Sequence, residues 1–297
     1  MHRQTLSALV ATGALLCSAA TWAASPTLDK IKETKQITLG YRESSVPFSF
    51  LDGANKPVGF SMDLCAAIVN RVKQQLALPS LDVKYVAVNS SNRIPLVKNG
   101  TVDIECGGTA NNAQRQKEVA FSVATFVSQP KWLVRADSNI NNVAALKGQT
   151  VVVTQGSNAV AFAKAASEQQ KLDLKIVQAK DHGESMLMLD TKRAAGFLED
   201  DILLAAKKAE AKDPKGFKFL PESYEIIYYG LMLPKDDPEF KAVVDKTLSD
   251  AMASGAFEQT YKKWFESPIP PHNTNLQFPV SDPLRARIKS PSDKATQ

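Results

Sequence analysis

The segment VVVTQGSNAVAFAKAASEQ, residues 151–169, is the clearest guide to the fold. The β-branched run at 151–153 predicts a buried strand, and the alanine-rich stretch at 159–169 predicts a helix. Residues 154–158 join the two and include Gly156, which suits a tight connection. A strand that turns directly into a helix is the repeating unit of α/β proteins, so this segment predicts a mostly parallel sheet covered by helices.

The same alternation extends in both directions along the chain. Strands are predicted at 37–41, 83–88, 102–106, 175–177 and 194–197, and helices at 28–33, 61–75, 94–98, 184–191, 201–211, 238–253 and 257–265. Because the pattern restarts after Phe121, two successive α/β units are predicted instead of one long sheet. The proline-rich segment 267–271 cannot be helical and is expected to lie extended on a surface.

Composition limits the class of protein. Of the 297 residues, 44% are hydrophobic and 23% are charged, which excludes a disordered chain, a coiled coil and a polytopic membrane protein. Lysine and arginine number 36 against 31 aspartate and glutamate, a mild net charge of +5. No basic run accompanies it, so we expect no nucleic-acid partner.

The amino terminus has the layout of a secretory signal peptide. Arg3 precedes the apolar stretch 6–17, and Thr21 and Ala23 occupy the −3 and −1 positions of a cut after Ala23. A buried first helix is the alternative, disfavoured because the charge-free run ends in small residues. Residues 1–23 are therefore expected to be removed, leaving a soluble protein in the periplasm.

Export would leave two cysteines, Cys65 and Cys106. An oxidising compartment permits a disulfide between them, but sequence alone does not bring them within bonding distance. A disulfide and two buried thiols both remain open.

Polar residues follow several predicted strands, where ligands bind in open α/β sheets. These positions are Arg42, the segments 90–93 and 107–109, and the segment 154–158. Arginine matches a carboxylate in bidentate fashion, and helix N-termini favour anions. Each position alone has an ordinary alternative as a helix cap or a solvated surface residue. Together they predict a site for an anionic small molecule.

His182 and Asp200 complete this candidate set. His182 is read as a loop residue in KDHG (180–183), and Asp200 as either a cation-binding acid or the N-cap of the next helix. No nucleophile elbow, P-loop, HExxH or CxxC motif is present, so no catalytic residue, metal or cofactor is predicted. If the chain were instead an enzyme, His182 and Glu199 would be the candidates for its general acid or base.

Several segments resemble the periplasmic solute-binding proteins of polar amino-acid ABC importers, most closely the glutamate/aspartate-binding branch. They are RESSVPFS (42–49), NRIPL (92–96), ECG (105–107), RQK (115–117), AKDHG (179–183), DD (200–201), WF (264–265) and PIPP (268–271). The resemblance covers essentially the whole chain after residue 23.

The resemblance implies an α/β, bilobal periplasmic-binding-protein fold (type II), with two α/β lobes joined by two crossing strands. It implies crossings near Ser128 and Ile227. Lobe 1 would then comprise residues 24–128 and 228–297, including the C-terminal helices and tail, and lobe 2 residues 129–227.

The same resemblance implies roles for the site residues. Arg93 would grip the α-carboxylate of an amino acid with help from Ser157, and Asp200 would hold its α-ammonium. The side-chain carboxylate would be recognised by Arg42, Ser90 and His182. Two arginines facing two carboxylates favour glutamate or aspartate, because each buried ligand charge must be paired.

Three positions depart from the branch, which tends to carry hydroxyl side chains where this chain has Gly108, Ala110 and Asn158. Each lost hydrogen bond removes roughly 0.5–1.5 kcal/mol, and the smaller side chains are expected to enlarge the pocket. A different carboxylate ligand therefore remains an alternative.

The sequence thus predicts a monomeric binding protein without a cofactor that delivers an amino acid to an inner-membrane ABC permease complex. The alternative from another class is a dehydratase-like periplasmic enzyme on the same fold.

Overall fold

The computed structural model describes residues 25–295, so the predicted signal peptide lies outside the described residues. Its helices are α1 (Pro26–Thr34), α2 (Phe60–Gln75), α3 (Arg93–Lys98), α4 (Ala113–Gln116), α5 (Ala159–Gln169), α6 (His182–Asp190), α7 (Asp201–Glu210), α8 (Pro238–Ser254), α9 (Ala256–Phe265) and α10 (Asp282–Lys289). Its strands are β1 (Gln36–Tyr41), β2 (Ser44–Ser45), β3 (Ser49–Leu51), β4 (Pro57–Val58), β5 (Asp82–Ala87), β6 (Ile104–Ala110), β7 (Ala120–Phe121), β8 (Phe126–Ser128), β9 (Pro130–Arg135), β10 (Thr150–Thr154), β11 (Lys175–Ala179), β12 (Gly196–Asp200), β13 (Phe217–Ser223) and β14 (Ile227–Leu233).

These elements form two large mixed sheets and a small antiparallel sheet of the order β2-β3-β4. The first sheet has the order β5-β1-β6-β14-β7, with β8 also paired to β14, and the second has the order β11-β10-β12-β9-β13. In each large sheet three neighbouring strands are parallel: β5, β1 and β6 in the first, and β11, β10 and β12 in the second. Their carboxyl ends gather side chains that follow different strands.

The chain passes between the sheets twice, and the two passages lie side by side. It leaves the first sheet after β8 and enters the second at β9, with only Gln129 between them. It returns from β13 to β14, whose first residue, Ile227, pairs with Ser128 of β8. This adjacency holds the carboxyl ends of the two sets of parallel strands near one another.

Each sheet has its own apolar core. In the first, α2 packs against α8 and α9, and Trp264 of α9 packs edge-on against Phe50 with ring centroids 5.8 Å apart. The indole Nε1 of Trp264 donates to the carboxylate of Asp63 at 2.7 Å. In the second, Trp132 is fully buried and its Nε1 donates to the hydroxyl of Tyr224 at 2.8 Å.

Cys65 of α2 and Cys106 of β6 are joined by a disulfide, with Cα atoms 6.2 Å apart. The bond fastens α2 to the strand that carries Gly107–Ala110, and both cysteines are fully buried. The helix that covers the first sheet is thus covalently tied to a strand bordering the candidate site.

The structure corrects several boundaries. The predicted strand ends at Cys106 with Gly107 and Gly108 beyond it, but β6 continues through Ala110 because it pairs with β14, Ala110 facing Tyr229. The helix predicted from 184 begins at His182, since Asp181 caps it by accepting the N–H of Glu184. Local sequence patterns did not predict strands β9, β13 and β14 or helix α10, although the family resemblance implied crossing strands near Ser128 and Ile227. Among residues 25–295, no helix is long and apolar enough to cross a membrane.

Candidate functional site

Three of the predicted residues meet where the two sheets approach each other. Arg42, directly after β1, donates from Nη2 to Ser90 Oγ at 3.0 Å, and the same nitrogen lies 3.5 Å from His182 Nε2. All three side chains are buried. Burial and then the charge of Arg93 lower the pKa of Arg42 to about 10. A cation kept from water in this way is a strong partner for an anion.

Arg93, at the start of α3, is held by β6. Its Nη1 donates to Thr109 Oγ1 and lies 3.6 Å from Glu105 Oε1, and Thr109 in turn donates to Glu105 Oε2 at 2.6 Å. The Nε–H of Arg93 is buried without a hydrogen-bond partner among the described residues. Since an unpaired buried donor is costly, this edge of the guanidinium is suited to receive an acceptor from a ligand.

Asp200 ends β12 and precedes α7, but its side chain does not cap that helix. Oδ1 accepts from Asn158 Nδ2 at 3.1 Å, and Oδ2 accepts from the hydroxyl of Tyr229 on β14. Burial raises the pKa of Asp200 to about 6. Asp200 therefore occupies the N-cap position that one of its two sequence interpretations gave it, but its carboxylate makes no capping hydrogen bond and is directed to Asn158 and Tyr229 instead.

The His182 ring lies beside the buried carboxyl group of Glu199. Its Nδ1 is 2.8 Å from Thr154 Oγ1 and 3.4 Å from Glu199 Oε2. Burial, then the charges of Arg42 and other cations, lowers the pKa of His182 well below its usual value. Burial and the neighbouring Asp200 raise the pKa of Glu199 to about 8. The imidazole and this carboxyl are therefore both mainly neutral at pH 7 in this arrangement.

The side chain of Arg115 links the turn after β10 to β6 of the first sheet. The carbonyl of Gly156 accepts from Arg115 Nη2 at 3.0 Å, while Arg115 Nη1 donates to the carbonyl of Ala110 at 2.9 Å. Ser157 lies beside Gly156 and accepts the N–H of Ala159 at 3.2 Å, at the start of α5. One buried arginine thus bridges β6 and the 154–158 turn.

The three departures from the acidic-ligand pattern differ in their surroundings. A Cβ at Gly108 would lie 2.9 Å from both Phe48 Cδ2 and Tyr229 Cε2, so rings fill the space there and the expectation of a larger pocket is wrong at this position. Ala110 and Asn158 instead border a groove of about 410 Å³ between α5 and the segment after β6.

Sequence reasoning gave no site role to four of the buried residues that complete the cluster: Glu105, Arg115, Glu199 as a partner of His182, and Tyr229. Thr109 lies in the candidate segment 107–109, but its bond to Glu105 was not foreseen. The two carboxylates of the short segment VDIEC (102–106), Asp103 and Glu105, were a usable signal, because a buried charge requires a partner. Tyr229 had no such signal. Within residues 25–295, no group of three or more His, Cys, Asp and Glu side chains is arranged to hold a metal.

Comparisons with known proteins identify the family of the chain. Residues 37–267 match the family model of bacterial extracellular solute-binding proteins, family 3. The chain is 46% identical over 275 residues to the glutamate/aspartate import solute-binding protein of Escherichia coli, covering 92% of this chain and 90% of that one. It is 48% identical over 274 residues to the L-glutamate/L-aspartate-binding protein of Pseudomonas aeruginosa, covering 91% and 90%.

A solved structure extends the likeness to the bilobal fold. The ABC uptake transporter substrate-binding protein from Streptococcus pneumoniae with bound histidine superposes with a TM-score of 0.72 at 20% identity, covering 80% of this chain and 95% of that one. At that identity the comparison supports the fold alone.

Proposed function

Because the chain belongs to the bacterial extracellular solute-binding proteins of family 3, we propose that it captures glutamate or aspartate and delivers it to an ABC permease in the inner membrane. Relatives at 46–48% identity are named for glutamate and aspartate. The single observation that carries the proposal is the pair of buried arginines, Arg42 and Arg93, with the Nε–H of Arg93 unpaired among the described residues.

The charge of the cluster supports an acidic ligand. Its buried arginines are Arg42, Arg93 and Arg115, and its buried acids are Glu105, Glu199 and Asp200. At pH 7 Glu199, with a pKa of about 8, is mainly protonated, so the arginines outnumber the ionised carboxyls. A ligand with two carboxylates and one ammonium group carries a net negative charge and offsets this excess.

The residue roles that we propose are those implied by the family resemblance. We assign the α-carboxylate to Arg93 with Ser157, and the α-ammonium to Asp200. The side-chain carboxylate is assigned to Arg42, Ser90 and His182. Asn158 would act by orienting Asp200, with which it shares a hydrogen bond of 3.1 Å, and Gly108 and Ala110 would border the ligand with backbone atoms.

Two lobes closing over the ligand account for its capture. We place lobe 1 at residues 24–128 and 228–297 and lobe 2 at 129–227, with the paired residues Ser128 and Ile227 at the crossing. Ligand contacts from both lobes favour the closed form, and the permease would respond to that form. We further propose a monomer, exported to the periplasm after cleavage behind Ala23.

Two alternatives differ in ligand or in chemistry. The groove beside Ala110 and Asn158 would favour a larger carboxylate ligand. A dehydratase-like enzyme would use His182 or Glu199 as its acid or base. The curated relatives are named as binding proteins, which favours reversible binding over turnover.

A thermal-shift screen of residues 24–297, freed of ligand by unfolding and refolding, tests the proposal. L-Glutamate, L-aspartate, their amides, other amino acids and small dicarboxylates would be compared. A ligand at 100 times its Kd stabilises the fold by about 2.7 kcal/mol. Stabilisation by glutamate or aspartate is expected. Silence for both, with a response to another carboxylate, would reject the proposed ligand, and conversion of a bound compound to product would favour the enzyme.

A further inference from the structure

A chain of hydroxyl groups holds one side of the His182 ring. Nδ1 lies 2.8 Å from Thr154 Oγ1, which lies 2.9 Å from Ser185 Oγ. Ser185 Oγ donates to the carbonyl oxygen of Asp181 at 2.9 Å. On the other side of the ring, Nε2 faces Arg42 Nη2 at 3.5 Å. The groups in this series of hydrogen bonds are buried or held in place by α6, so the donor and the acceptor of each bond can be assigned.

That order fixes the tautomer of the imidazole. A hydroxyl can donate only one hydrogen bond. Because the Ser185 hydroxyl donates to the carbonyl oxygen of Asp181, Ser185 Oγ must accept the hydrogen bond from the Thr154 hydroxyl. Thr154 has then used its proton and must accept from His182 Nδ1. A neutral ring with its proton on Nδ1 presents Nε2 as an acceptor, which agrees with the guanidinium of Arg42 facing that nitrogen.

An acceptor at Nε2 does not suit a carboxylate, which brings only acceptors. It suits a carboxamide, whose oxygen accepts from Arg42 and Ser90 while its NH₂ donates to His182. For the ring to bind an acidic side chain, Nε2 must gain a proton. The buried imidazolium so formed needs a counter-ion.

Glu199 is the one carboxyl within 4 Å of the ring among the described residues, its Oε2 3.4 Å from Nδ1. Its other oxygen accepts the N–H of Asp200 at 3.2 Å, and Oε2 has no hydrogen-bond partner among the described residues. The cations Arg42, Arg93, and Lys207 of α7 lower the pKa of the ring and oppose an imidazolium. The neighbouring acid Asp181 is the N-cap of α6, where its carboxylate accepts the N–H of Glu184. Glu199 is therefore the acid placed at a ring nitrogen, where it can balance the charge of an imidazolium.

We propose that Glu199 is a positioning residue that acts through His182, serving as the counter-ion that lets the ring become an imidazolium when an acidic side chain binds. This deepens the proposed function and rests on it. Nε2 gains one proton and the Glu199 carboxyl loses one, so two neutral groups become an ion pair and their joint proton count is unchanged. The protonation state of one ring then distinguishes acid from amide ligands.

The direct test is ¹⁵N NMR of histidine-labelled residues 24–297, freed of ligand and held at pH 7. This segment contains only His182 and the exposed His272, which serves as an internal reference. We expect a neutral ring protonated at Nδ1 without ligand, both ring nitrogens protonated with L-glutamate, and the neutral tautomer retained with L-glutamine.

The variant Glu199→Gln keeps the shape of the side chain and removes its charge. We expect the affinity for L-glutamate to fall at least about tenfold, as for loss of a charged hydrogen-bonded pair, while that for L-glutamine changes less than about threefold. His182 should remain neutral in both complexes. Glu258→Gln, on α9, is the matched control because it also changes a carboxyl with a buried oxygen that has no hydrogen-bond partner within residues 25–295, and it should leave both affinities unchanged.

Binding of L-glutamate with His182 still neutral would overturn the inference. An equal loss of affinity for L-glutamate and L-glutamine in Glu199→Gln would also overturn it. The wild-type spectra decide the matter even if that variant fails to fold. Binding of neither glutamate nor aspartate in the thermal-shift screen would remove the proposed function and this inference together, and is thereby distinguishable from failure of the inference alone.

Discussion

Replacing Gly156 by alanine should weaken ligand binding in addition to lowering the stability of the fold. Gly156 lies in the turn after β10 with φ +76°, against the loop that carries Ser90. An added Cβ would lie 2.6 Å from Ser90 O and 2.7 Å from Ser91 Cα. Both are backbone atoms, so no flexible side chain can move aside, and the two loops must separate.

The size of the effect follows from two contributions. An alanine held in the left-handed backbone conformation destabilises the fold by about 1–2 kcal/mol. Because this cost is the same in the open and the closed form, it lowers the melting temperature without changing the affinity for the ligand. Steric overlap costs about 1–3 kcal/mol and acts only when the loops meet. Affinity should consequently fall by about 5- to 150-fold.

Gly148 provides the matched control. Its φ is +70°, and a Cβ there would meet no atom of residues 25–295 within 4 Å. Gly148→Ala should therefore reproduce the loss of stability and leave affinity intact. Isothermal titration with L-glutamate and thermal melts of the ligand-freed proteins separate the two effects. Equal dissociation constants for the two variants would refute the reasoning, because the loops would then not meet in the bound form.

Three other outcomes are expected. Arg42→Ala should lower the affinity for L-glutamate by about tenfold or more while neutral amino acids lose less, since a charged hydrogen bond is removed; titration calorimetry showing equal losses would reject its assignment to the side-chain carboxylate. Reducing the Cys65–Cys106 disulfide, which closes a loop with a sequence separation of 41, should lower the free energy of unfolding by about 4 kcal/mol, and identical urea midpoints with and without reductant would contradict this. The raised pKa of Glu199, about 8, means that the folded protein binds more protons than the unfolded chain, so the stability of the ligand-freed protein should fall from pH 6.5 to 8. Thermal melts of Glu199→Gln across that range should lack this contribution, and an unchanged pH profile would argue against the raised pKa.

Local sequence patterns predicted the parallel strands and the longer helices well. Helix α2 was expected at 61–75 and spans Phe60–Gln75, and α5 has the expected bounds. These elements carry their own periodicity and caps. Strands β9, β13 and β14 were missed because antiparallel partners distant in sequence define them. The predicted strand stopped short of the Gly-Gly pair in β6 for the same reason: glycine favours a turn locally, and only β14 makes it a strand.

The site divides in a similar way. Arg42, Ser90 and His182 were grouped from their positions at strand ends and from the family resemblance, and their side chains do meet. The hydrogen bond from the Tyr229 hydroxyl to Asp200 joins β14 to β12, and the two residues are 29 positions apart in the sequence. No local sequence motif could therefore predict it. Polar groups at strand ends are therefore readable from sequence, whereas the buried partners that orient them depend on sheet order.

The two buried indoles give each sheet its own optical label. Trp132 lies in the core of the second sheet. Trp264 lies in the core that covers the first sheet, where it contacts Phe50 of β3 and Asp63 of α2. With residues 1–23 removed, they are the only tryptophans in the chain. Trp264→Phe would leave fluorescence that follows only the second sheet, and Trp132→Phe only the first. Denaturation curves of the two proteins would then reveal whether the halves melt in one cooperative step or one after the other, with no dye attached.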